Sequence, residues 1–151
     1  MPRLRPIAAA TLFVLAVAGC AASPGPAYEH PAAHVVDELL ALRRADVRDS
    51  AAYEPYFADP ALAAALAEGS GEPTGTPRVP EWEPPYVSRE ESGTASVAVV
   101  WKPGEDFAGW PAVTIFLAEL ADGRWVVSDA TETTAAPAPL GDASAGQPAQ
   151  E

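Results

Sequence analysis

The chain has 151 residues and a formal charge of −12, enough length for one ordinary domain and a surface that repels phosphate backbones and anionic headgroups. Nucleic acid is therefore not an expected partner. Its single cysteine precludes an intramolecular disulfide, so the fold must rest on an apolar core.

Arg3 and Arg5 precede an uncharged apolar run at 7–17, Ile-Ala-Ala-Ala-Thr-Leu-Phe-Val-Leu-Ala-Val, followed by small residues. The run is well short of the ~20 residues that a spanning helix needs. Leu15-Ala16-Val17-Ala18-Gly19-Cys20 resembles the lipobox of bacterial lipoproteins. That resemblance implies a signal peptide over 1–19, cleavage before Cys20, and lipidation of Cys20 by a thioether diacylglyceryl group, often with a further acyl chain such as palmitate. Two or more acyl chains give stable anchoring. The mature chain is then expected on the exported, outer or periplasmic, side of the cell membrane.

Residues 20–31 read as a tether with nothing to bury, spanning at most ~35 to 40 Å when extended. Pro31 suits the first turn of a long helix, in which Val35, Val36, Leu39, Leu40, Leu42 and Val47 recur at helical spacing. Asp37, Glu38, Arg43, Arg44 and Arg48 form its polar side, the basic group toward the end that the helix dipole favours. Asp59-Pro60, a capping residue before proline, predicts a short second helix through Glu68, stopped by Gly69.

Residues 69–85 are rich in proline and glycine and read as a long loop, with room for a brief edge strand near Arg78-Val79. The period then turns from helical to alternating. Segments 86–91 and 94–101 flank Ser92-Gly93, and Ala95, Val97, Val99 and Trp101 share one face. Segments 112–121 and 124–131 flank Asp122-Gly123, a strong hairpin signal. A two-residue turn pairs Leu120 with Trp125, Ala118 with Val127 and Phe116 with Asp129, while Val113, Ile115, Leu117 and Val126 take the opposite face. Both faces are apolar, so helices should cover one and curvature or other chain the other. Residues 133–151 have the composition of a disordered tail.

The predicted class is thus α+β: one long and one short helix packed on a curved antiparallel sheet of about four strands. This order resembles the NTF2-like superfamily. Leu39-Leu40-Ala41-Leu42-Arg43-Arg44-Ala45-Asp46-Val47 is similar to the end of its first helix, Tyr56-Phe57-Ala58-Asp59-Pro60-Ala61-Leu62 to the start of its second, and Ala121-Asp122-Gly123-Arg124-Trp125-Val126-Val127 to its closing hairpin. The resemblance spans 32–132 and implies a cone-shaped roll around an apolar pocket. Prolines between 73 and 85 depart from the pattern, leaving little room for the usual third helix and early strand. The superfamily hosts isomerases, cyclases, transport adaptors and envelope proteins with no assigned chemistry, so the fold alone does not assign function.

Asp129 is the candidate catalytic residue: beside Phe116 on an apolar face it would act as a general base, and at an open strand end it would be solvated or paired with Arg124 or Arg89. Phe107 and Trp110, on a glycine-bearing loop, are candidate binding residues with Phe116 and Trp125, or else they cap the core. Tyr53 and Tyr56 either donate to the pocket or pack under the first helix. Trp82 belongs to an extended partner-binding segment or is tucked in. His30 and His34 have the spacing of a metal pair but no third ligand. With no catalytic triad, phosphate-binding loop or cysteine cluster in the sequence, no cofactor is expected. The expectation is a noncatalytic envelope domain that binds a small apolar ligand or an envelope protein. An isomerase or cyclase using Asp129, or an accessory subunit of a membrane complex, is the alternative.

Overall fold

The computed structural model describes residues 26–68 and 79–141. The segment expected to be a signal peptide, Cys20, most of the proline-rich loop and the end of the tail lie outside the described residues. Helix α1 spans Pro31–Arg44 and buries Ala32, Ala33, Val36, Leu39 and Leu40. Its N-cap is His30, whose Nδ1 accepts the Ala32 N–H at 3.1 Å, with Pro31 at the first position.

The helix ends three residues before the periodicity does. Asp46 takes a positive φ of 55°, its N–H donates to the Arg43 carbonyl and the Val47 N–H donates to that of Leu42. This is a Schellman closure with aspartate in the place glycine usually takes, and Val47 packs on the core beyond the turn. The expected long helix is therefore shorter at its C-terminal end, and a four-residue helix α2, Ser50–Tyr53, follows with Asp49 as its cap. A 3-10 turn over Glu54–Tyr56 leads to α3, Pro60–Glu68, where Asp59 accepts the Ala61 N–H as the Asp-Pro signal requires.

Five strands form one open antiparallel sheet: β1 Glu81–Trp82, β2 Tyr86–Glu91, β3 Thr94–Lys102, β4 Val113–Ala121 and β5 Arg124–Thr133. β1 and β2 both pair with the same side of β3, followed by β4 and β5. The brief edge strand lies at Glu81–Trp82 rather than at Arg78-Val79. Both expected hairpins form, with positive φ at Ser92, Gly93, Asp122 and Gly123, the primed geometry that matches strand twist. Ala95, Val97, Val99 and Trp101 join the core beneath α1 as their alternation requires.

Two edges of this sheet are covered. At β5, Phe57 bridges to Val127 in parallel and the Ala58 N–H donates to the Val127 carbonyl. At β2, the Val87 N–H donates to the Ala27 carbonyl and the Val87 carbonyl accepts from Leu140 N–H, so chain from both ends of the described domain pairs with one residue. Tyr86 on the outer face packs against Tyr28 with rings 5.2 Å apart and donates its hydroxyl to Pro137 at 2.7 Å. Ala27, Tyr86 and Ala98 form a second, smaller core there. This corrects two boundaries: residues 26–30 are packed rather than mere tether, and 133–141 extend β5 and then strap the sheet. Alanine and proline need only a complementary apolar surface to pack, which composition does not reveal.

Burial, then the neighbouring Tyr28 and Glu83, push the Tyr86 phenol above its ordinary value. A raised folded-state value favours the protonated domain, so this contribution is whole below about pH 10 and is lost as pH rises through the shifted value. Stability measured by urea melts from pH 9 to 12 should fall more steeply for the natural chain than for Tyr86→Phe. Parallel profiles would show that this phenol is not coupled to the strap.

Candidate functional site

The helix-facing side of the sheet carries two adjoining clefts. The first, of about 300 Å³, lies between α1, α3 and β5. Leu39, Leu40, Phe57, Leu62, Leu66, Phe116 and Val127 give it an apolar lining, completed by Arg43 and residues 128–130. Leu62 is 38 % exposed at the cleft. The second cleft, of about 480 Å³, lies beyond Arg43 and Phe116, which line both. Trp101, Phe107 and Trp110 form its aromatic wall, and Asp106 and Glu132 contribute exposed carboxylates.

Position in the fold explains these residue types. Arg43 lies one residue from the C-terminal end of α1, where a cation is favoured by the helix dipole. Glu132 lies opposite Thr114 near the end of β5, on the same face as Phe116. Phe107 closes a 3-10 turn over Glu105–Phe107, and a positive φ at Gly109 brings Trp110 back over Trp101. The rings pack edge to face, Trp82 to Trp101 at 6.3 Å, Trp101 to Trp110 at 5.5 Å and Trp110 to Phe107 at 5.6 Å. Trp101 donates its indole N–H to Thr114 at 2.9 Å and Trp82 donates to Asp37 at 2.7 Å. The Trp110 indole nitrogen is buried with no hydrogen-bond partner.

Of the four aromatic candidates, Phe107, Trp110 and Phe116 line one cleft together. Trp125 is elsewhere, its ring 5.2 Å from that of His30. Trp82 is tucked in against α1 and under the Arg44 guanidinium, which sits 6.0 Å from its ring. Tyr53 packs fully buried beneath α1 and donates to the Val47 carbonyl at 2.6 Å. Tyr56 donates to Glu38 at 3.2 Å, and desolvation first, then that carboxylate, raise its phenol above the ordinary value.

Asp129 is placed differently from the turn-based register. A β-bulge at Ser128 shifts the pairing between Leu117 and Ala118, so Phe116 faces Ala130 and Asp129 pairs with Leu117 on the outer face. The Asp129 side chain is exposed and accepts its neighbour Ala130 N–H at 2.8 Å, while Arg89 pairs with Glu91 instead. Asp129 thus borders the first cleft without pointing along the apolar face. His30 is committed to capping α1 and to Glu90, 3.0 Å from its Nε2. Among the described residues no three metal-ligating side chains cluster.

Sequence reasoning missed Arg43, Asp106 and Glu132, since each reads as a solvated charge until the fold sets it beside aromatic rings. No described helix is long and apolar enough to cross a membrane. No protein-family model, curated protein or solved structure matches the chain.

Proposed function

We propose that the chain is a lipid-anchored envelope protein whose domain, an NTF2-like roll, binds a small apolar ligand without catalysing a reaction. Three helices preceding an antiparallel sheet with a closing hairpin support the roll. The leucine-lined cleft between α1, α3 and β5 carries the ligand reading, because an apolar concavity of this size margined by few polar groups is how small ligands are held. The anchor rests on the lipobox sequence ending at Cys20.

Native mass spectrometry of the protein purified from an exporting host should detect a bound small molecule. Leu66→Trp, which fills the cleft from α3, should cut its occupancy by about tenfold or more. Natural protein recovered empty, or equal occupancy in the variant, would overturn the ligand reading. For the anchor, Cys20→Ala should move the protein from the membrane to the soluble exported fraction; a variant that stays with the membrane would refute lipidation at this residue.

A further inference from the structure

From the order of chemistries along the two clefts, we infer that the ligand is a single-chain amphiphile with a phosphocholine-type zwitterionic head. Its chain would lie in the leucine-lined cleft, its phosphate beside Arg43 and its ammonium against Trp110, Asp106 and Glu132. This rests on the ligand-binding reading and gives that ligand a head.

The argument runs from one end of the groove to the other. The first cleft is apolar, and its volume of about 300 Å³ accommodates a chain of about ten carbons at roughly 30 Å³ for each water-sized group. Arg43 lies at its border with the second cleft. A guanidinium has five donors in a fixed fork that suits phosphate oxygens. The buried Trp110 indole N–H lacks an acceptor, and an anionic oxygen entering the cleft provides one.

Past Arg43 the sign of the charge reverses. Asp106 and Glu132 are exposed carboxylates, and Phe107 and Trp110 supply ring faces, the combination that recognises a quaternary ammonium by cation–π and ionic attraction. A fatty acid would set its carboxylate beside Arg43 but leave the rings and the two acids beyond without a partner. A simple alkylammonium would place its charge beside Arg43. A zwitterion satisfies both, its negative group next to the chain and its positive group beyond.

The test uses residues 20–151 with Cys20→Ser, which retains every described residue, and titrates monomeric dodecylphosphocholine, dodecyl maltoside and dodecanoate by calorimetry and tryptophan fluorescence. Dodecylphosphocholine should bind one-to-one and at least about tenfold more tightly than the other two. The double variant Asp106→Asn/Glu132→Gln should abolish that preference without weakening dodecanoate. Equal affinity for all three, tighter binding of the maltoside, or an unchanged preference in the double variant would overturn the zwitterionic head while leaving the apolar cleft standing. Failure of every dodecyl probe to bind would overturn the cleft reading as well.

Discussion

Tyr53→Ala is expected to destabilise the domain by about 3 to 5 kcal/mol, the range for removing a large ring from a packed core. Tyr53 is wholly buried, lies at the end of α2 and donates to the Val47 carbonyl just beyond the turn that ends α1. Its loss therefore opens a cavity and also releases the link between two helices. Since a domain of this size has only about 5 to 15 kcal/mol of net stability, the loss takes a large share of it. Tyr53→Phe separates the effects: it keeps the ring, leaves the half-buried Val47 carbonyl without this donor and should cost about 1 kcal/mol. Urea melts of the three proteins decide the matter, and an alanine variant within about 1 kcal/mol of the natural chain would show that the tyrosine is not in a packed site.

Trimming the chain to 32–132 should lower its melting temperature by roughly 10 to 20 °C relative to 26–141, equivalent to about 3 kcal/mol for a domain of this size. The shorter fragment loses the pairing of Ala27 and Leu140 with Val87 and the Tyr86 bond to Pro137. It also loses the His30 cap of α1. Each hydrogen bond or cap contributes about 1 kcal/mol, and Tyr86 and Ala98 become exposed, while the freed strap regains conformational entropy. Thermal melts followed by circular dichroism test this directly; coincident transitions would mean that the strap adds no stability.

Local chemistry explains which features were legible. Ser92-Gly93 and Asp122-Gly123 specify their hairpins because both central residues need positive φ. Asp59-Pro60 likewise marks α3 through a cap and a fixed φ. Asp46 hid the end of α1, because aspartate tolerates the left-handed conformation without advertising it as glycine does. The bulge at Ser128 was hidden more deeply: alternation continues in residue type through Trp125, Val127 and Asp129, and only pairing with β4 reveals the extra residue. For the site, aromatic character on a glycine-bearing loop pointed to Phe107 and Trp110, and strand alternation to Phe116. Arg43 and Glu132 come from helix and strand ends far apart in sequence, a juxtaposition that no local pattern encodes.

The meeting of both chain ends at Val87 has a mechanical consequence. A side-chain position at Gly141 would stand 4.0 Å from Pro26, so the two ends of the described domain leave it side by side. Traction applied through the residues before Pro26, or through those after Gly141, falls first on the peptide groups of Val87 at the sheet's edge. The clefts open on the other face, beneath α1 and α3. Val87 thus works as a strain relief: a pull on either end would peel the strap one bond at a time before it distorted the groove.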